Sequence, residues 1–274
     1  MKNLNFCRGP EERGRRPRRA VPAMCLLVLL ICWVLPVLAQ DQYEEKDVSV
    51  SPQAQTQLDK AERLAKNRQF EAAIVAFRQA IQLQPDYARA YHQMGLVYAE
   101  ISQYPEAVKA FKEASRLRPQ WGPPYENIGV AYIKMKDWRE ARAAFQQAVR
   151  LHPDNPEAHY NLGLANGQLG RDREAMAEFT EALHRQPDMA KAHKNLGLAY
   201  LNLGDLDKAG KSLMEAVRLQ PDDPEAHYAL CVYYARRGDA QGANREFQAL
   251  KKLDPKLAQQ LSDRIRPAVS GKAP

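Results

Sequence analysis

The chain has 274 residues, 45% of them hydrophobic, with 40 Lys and Arg against 33 Asp and Glu for a formal net charge of +7. Seven basic and two acidic residues lie in positions 1–39, a net of +5, so residues 40–274 keep only +2 (7 − 5) and the charge makes no case for nucleic-acid binding, which needs a basic stripe on the folded face. Three of the four cysteines (Cys7, Cys25, Cys32) share that leader, which leaves Cys231 and excludes a disulfide framework.

Residues 1–39 open with Lys2, Arg8, Arg13, Arg15, Arg16, Arg18 and Arg19 and continue as an uncharged apolar run from Val21 to Leu38. A basic region followed by a hydrophobic one has the form of a secretory signal. Pro36 would break the run just before the small-residue site Val37-Leu38-Ala39, so cleavage is expected after Ala39. The alternative is an uncleaved signal anchor, because a run of about 18 residues sits at the lower edge of a membrane span. With the charges on its N-terminal side, either reading carries the rest of the chain out of the cytoplasm. A periplasmic or other extracytoplasmic location is therefore expected, with a single-pass membrane protein as the alternative. Residues 40–53 start acidic (Asp41, Glu44, Glu45, Asp47) and read as a flexible linker.

From Ala54 onward the chain repeats every 34 residues. Prolines stand at Pro85, Pro119, Pro153, Pro187, Pro221 and Pro255; alanines at Ala73, Ala107, Ala141, Ala175, Ala209 and Ala243; glycines at Gly95, Gly129, Gly163 and Gly197. The repeats are 54–87, 88–121, 122–155, 156–189, 190–223 and 224–257. Within each, apolar positions 4, 7, 8 and 11 step by three, one and three, which marks one face of a helix. Positions 20, 24 and 27 mark a second helix, with a phenylalanine at position 24 in five of six (Phe77, Phe111, Phe145, Phe179, Phe247). A turn joins them, with Gly170, Gly204 and Gly238 suited to a helix end and Asp172, Asp205 and Asp239 to a helix start. Gly and Ala at positions 8, 20 and 27 let the helices approach closely. Residues 256–266 step their apolar residues by four, as a solvating cap helix would, and a loose tail follows within 258–274.

This pattern resembles the tetratricopeptide-repeat (TPR) family, whose repeats carry a large residue, Leu-Gly, Tyr, Ala, Phe, Ala and Pro at these offsets. The resemblance implies an all-α fold: a right-handed α-solenoid of six helix-turn-helix repeats, concave on one face, each repeat burying its apolar side against its neighbours.

No catalytic arrangement stands out. The sequence has no Gly-rich phosphate loop, no Gly-x-Ser-x-Gly, no His-Glu-x-x-His and no Cys-x-x-Cys. His159, His193 and His227 recur one per repeat, on helices stacked roughly 10 Å apart. A zinc site needs its nitrogens about 2 Å from one ion. They are read as flat packing residues; no catalytic residue, metal or cofactor is expected.

In the TPR family the concave face is lined chiefly by the first helix of each repeat. Position 6 there reads Gln93, Asn127, Asn161 and Asn195, a run of side-chain amides that each offer a donor and an acceptor, as a peptide group does. It is similar to the asparagine ladder in the repeat domain of O-linked N-acetylglucosamine transferases. The competing reading is that these amides serve local hydrogen bonding. Position 9 adds Leu96, Val130, Leu164 and Leu198, either an apolar groove floor or packing between first helices; position 13 adds Lys134, Gln168 and Asn202. Lys194 satisfies half of a carboxylate clamp found in some family members, but Leu198 and Ala229 do not complete it. The expected function is non-enzymatic binding of a protein or peptide segment in the groove, in envelope or secretion-complex assembly. The alternative is a scaffold acting through its convex face or by self-association, and a metal-dependent enzyme is the remote one.

Overall fold

A computed structural model describes residues 50–269, so the leader and most of the linker lie outside the described residues. Thirteen helices and no strand occupy the described chain. The first helices of the six repeats are α1 (Pro52–Lys66), α3 (Ala88–Glu100), α5 (Gly122–Lys134), α7 (Pro156–Gln168), α9 (Ala190–Leu203) and α11 (Pro224–Arg237). The second helices are α2 (Phe70–Leu83), α4 (Tyr104–Leu117), α6 (Trp138–Leu151), α8 (Asp172–Arg185), α10 (Leu206–Leu219) and α12 (Ala240–Leu253), with α13 (Pro255–Val269) following. The described chain divides into two compact units, 50–151 and 152–269.

The four repeats from 88–121 to 190–223 close by the same device. The position 8 glycine of the first helix faces the position 24 side chain of the second. A Cβ built on Gly95 would lie 2.5 Å from Phe111, on Gly129 2.6 Å from Phe145, on Gly163 2.6 Å from Phe179 and on Gly197 2.5 Å from Leu213. In these four repeats the contacts leave no room for a larger residue, so the glycine stands where the position 24 side chain presses on the first helix. Phe77, Phe111, Phe145 and Phe179 are all 1% exposed or less. Burying an aromatic ring of that size is worth several kcal/mol, since its truncation to alanine costs about 3–5 kcal/mol.

Within the 50–151 unit α1 packs on α2, α3 on α4 and α5 on α6, and the first helices also touch one another, α1 with α3 and α3 with α5. The 152–269 unit repeats this with α7 on α8, α9 on α10 and α11 on α12, while α13 lies against α11 and α12. Ala258 and Leu261 of α13 join Cys231, Ala243 and Leu250 in one buried cluster, so α13 covers the last repeat. Cys231 is fully buried, its thiol donates to the Ala243 carbonyl at 3.3 Å, and burial pushes it up to about 11.

The turns differ from expectation in three places. The turn residue at position 15 adopts a left-handed conformation in all six repeats, but only Gly170, Gly204 and Gly238 are glycines; Arg68, Ser102 and Lys136 hold φ of 61°. Asp205 and Asp239 cap the next helix by accepting from Lys208 N and Gly242 N, whereas Asp172 lies inside α8 and accepts instead from Asn202 Nδ2 at 3.2 Å. Pro255 does not merely end the last repeat. It is the first residue of α13, with Asp254 Oδ1 accepting from Leu257 N at 2.9 Å, which suits proline's missing N–H at a helix start. At the other end, α1 starts at Pro52 with Ser51 as its cap, so the helix begins inside the expected linker.

Candidate functional site

In the 50–151 unit, Leu96 from α3 and Asn127, Val130 and Lys134 from α5 line one cavity of about 150 Å³. These four sit at positions 9, 6, 9 and 13 of two successive repeats. Helical spacing aligns them, and the α3–α5 contact brings the two rows together. Phe111 and Ala131 add apolar wall; Glu100 and Tyr104 add polar wall. Gln93, half-buried on α3, is not part of that lining.

Asn127 is held from behind. Its Nδ2 donates to His92 Nε2 at 2.9 Å. His92 is 1% exposed, with its ring centroid 4.6 Å from that of Trp121 and 5.5 Å from that of Phe111. Burial, with the nearby Arg89 charge adding to it, pushes His92 down to about 3, so the ring is neutral and able to accept. The amide therefore meets the cavity from a fixed position, supported by an aromatic shell.

The 152–269 unit treats the equivalent residues differently. Asn195 is only 2% exposed, and its Nδ2 donates to the Tyr160 hydroxyl at 3.1 Å. It is not a rung open to a ligand. The bond follows one rule with Asn127: a position 6 amide meets the position 5 side chain of the preceding repeat, 35 residues earlier. Leu164 and Leu198 are half-buried and pack against the Ala175, Phe179, Leu196 and Ala199 cluster, which is the packing alternative for position 9. Asn202 donates its Nδ2 to Asp172. Asn161 and Gln168 are half-buried on α7. Lys194, 13% exposed, sits 2.7 Å from both Asp223 and Glu225. Burial works against its charge, but the two carboxylates outweigh that and hold it above the ordinary lysine range. As an internal staple between α9 and the start of α11 it has no carboxylate site to offer.

A second, wider cleft of about 590 Å³ lies in the 50–151 unit between α2, α3 and α4, lined by Ile74, Val75 and Tyr98 with Glu71 and Glu106 at its edge. Val75 is 55% exposed there, and Arg78 donates to the Tyr98 hydroxyl at 2.9 Å. Among the described residues no three His, Cys, Asp or Glu side chains converge as metal ligands would, and no helix is long and apolar enough to cross a membrane.

The sequence reading passed over one recurring pair. The position 4 histidines His159 and His227 each face a glutamate at position 23 of their own repeat, Glu178 and Glu246, at 2.7 and 2.8 Å. The signal was available as a His and a Glu 19 residues apart in two repeats.

No curated protein matches the chain. Among solved structures it is similar to YrrB, described as a TPR protein with an unusual peptide-binding site, at 21% identity over 70% of this chain and 97% of that one, with a TM-score of 0.61. It is similar to PilF of Pseudomonas aeruginosa at 17% identity, over 77% of this chain and 96% of that one, with a TM-score of 0.64. PilW, described as a type IV pilus biogenesis factor, aligns at 18% identity over 77% of this chain and 99% of that one, with a TM-score of 0.64. At these identities the likeness speaks for the fold. A family model described as the cilia and flagella-associated protein 70 C-terminal domain matches residues 36–263. With that match spanning every repeat the 34-residue register defines, the chain belongs to this family of tetratricopeptide-repeat proteins.

Proposed function

We propose that the chain is an extracytoplasmic scaffold that holds a segment of a partner protein along the first helices of its repeats, with the cavity beside Asn127 as its anchor. The observation that carries this is the convergence of Leu96, Asn127, Val130 and Lys134 on one cavity. Leu96 and Val130 accept an apolar side chain, Asn127 hydrogen-bonds a backbone peptide group, and Lys134 favours a neighbouring acid on the ligand. A cavity of this size takes one side chain, so it fixes register. Gln93, Asn161 and Gln168 extend the polar line, while Asn195, Leu164, Leu198 and Asn202 keep the scaffold in shape. The chain works by binding, not catalysis. The basic and apolar leader supports export, and the printed descriptions of YrrB and PilW lend support to peptide binding and to an envelope setting by analogy of fold.

The test is capture by crosslinking from the exported fraction, comparing the wild type with Val130→Asp and Lys134→Glu after circular dichroism shows all three folded. Affinity for the captured partner is expected to fall about tenfold or more for Val130→Asp, the equivalent of 1.4 kcal/mol. Equal capture by all three would reject the cavity as the working surface. The exposed Val75 cleft favours a second reading, in which the second-helix face associates with another copy or partner. A solution mass above the monomer that falls on Val75→Glu would speak for it.

A further inference from the structure

His159 stands between two acceptors. Its Nδ1 lies 2.7 Å from Glu178 Oε2 and its Nε2 lies 3.0 Å from the Pro153 carbonyl oxygen. A carbonyl oxygen only accepts, and an ionised carboxylate only accepts. Both bonds can form together only when the site carries one proton more than a neutral imidazole beside an ionised glutamate. His159 is 7% exposed, so water cannot readily substitute for either partner. From this geometry we propose that His159 and Glu178 form a proton-loaded clamp between α7 and α8, closed at mildly acidic pH and released as the pH rises.

The neighbouring repeats bracket the proposal. His193 makes the same bond to its proline carbonyl, Nε2 to Pro187 O at 2.9 Å, but its position 23 residue is Ser212, so one N–H satisfies it. His227 repeats the full geometry with Glu246 and the Pro221 carbonyl, yet Glu246 also accepts from Arg245 Nε at 3.2 Å. Glu246 therefore keeps a cationic partner whatever the charge of its histidine. Other charges near α7 are paired with one another. Glu181 on α8 is held by Arg185 at 2.7 Å, Arg185 also reaches Asp154 at 3.1 Å, and Lys191 on α9 pairs with Glu157 at 2.7 Å. The Glu178 hydrogen bond raises His159 above its ordinary range, burial opposes this, and the Pro153 carbonyl and the charges of Glu178 and Glu181 add to the rise. A histidine raised in the folded state stabilises fully below its unfolded value and loses that contribution as the pH climbs through the folded one. Acidity therefore tightens the 152–269 unit.

The experiment uses the full chain with ¹⁵N-labelled histidine and follows the ring-nitrogen shifts from pH 5 to 9, beside thermal unfolding over the same range. The wild type is expected to show His159 with the shifts of a doubly protonated ring at pH 6, and a titration midpoint that moves down in Glu178→Gln. The thermal midpoint of the wild type should fall from pH 6 to 9 more steeply than that of Glu178→Gln or His159→Gln, with the double variant no flatter than either. A His159 midpoint unmoved by Glu178→Gln overturns the clamp, as does a neutral-ring signature at pH 6 in the wild type. The wild-type ring signature at pH 6 needs no variant, so a poorly folded substitution does not shield the idea.

Discussion

Lys136 occupies a backbone position that three of its five counterparts fill with glycine, the one residue that holds it without strain. Its φ is 61°, and the equivalent residues Gly170, Gly204 and Gly238 sit at 73°, 83° and 74°. A side chain in that region costs roughly 1–2 kcal/mol, partly offset because glycine loses more entropy on folding. Lys136→Gly is therefore expected to raise stability by about 0.5–1 kcal/mol in urea unfolding. His92 sets a second expectation at this scale. It is held at about 3 when folded against an ordinary 6.5, so unfolding takes up a proton below pH 6.5. Its contribution is complete above that pH and is lost as the pH falls, by up to about 1.4 kcal/mol per unit. Trp121, beside His92, and Trp138 make tryptophan fluorescence a reporter of the 50–151 unit. Unfolding followed that way should show a lower urea midpoint at pH 5 than at pH 7, and less difference in His92→Gln.

Pairs of helices are the next scale, and there the glycine at position 8 decides the geometry. Gly163→Val would drive its side chain into Phe179, which has no second place to go in a core where it is fully buried. Overpacking of this kind is expected to cost about 1–3 kcal/mol, read as a lower thermal midpoint; an unchanged midpoint would contradict the packing. The helices, their register and the close approach at the position 8 glycine were legible in the sequence, because one residue's role repeats every 34 positions and each copy confirms the others. The candidate site was legible only in part. The fate of a position 6 amide depends on what stands at position 5 of the preceding repeat: a buried His92 supports Asn127 at the edge of a cavity, whereas Tyr160 draws Asn195 into the interior. Residue type at one position does not carry that information. The same holds for Lys194, whose two carboxylate partners, Asp223 and Glu225, lie about 30 residues further on. Left-handed turns at Arg68, Ser102 and Lys136 were hidden for the opposite reason, since these residues give no sign of the conformation that their glycine counterparts announce.

At the scale of the molecule, both units use one repeat, but they load its first helices differently. In the 50–151 unit the residues at positions 6, 9 and 13 meet around an open cavity; in the 152–269 unit Asn195, Leu164, Leu198 and Asn202 are taken up by packing and internal bonds. The proposed binding is accordingly assigned to the 50–151 unit, whose cavity carries it. Protonation acts on them with opposite sign, since His92 loses stability in acid and His159 gains it. Binding at the Asn127 cavity is most directly tested by putting a photo-crosslinking amino acid at Val130 in the full chain, with Val75 as the control position, and identifying by mass spectrometry what each captures in the exported fraction. The account predicts one partner segment joined at Val130 and absent at Val75. Capture at Val75 alone, or the same adducts at both positions, would contradict it.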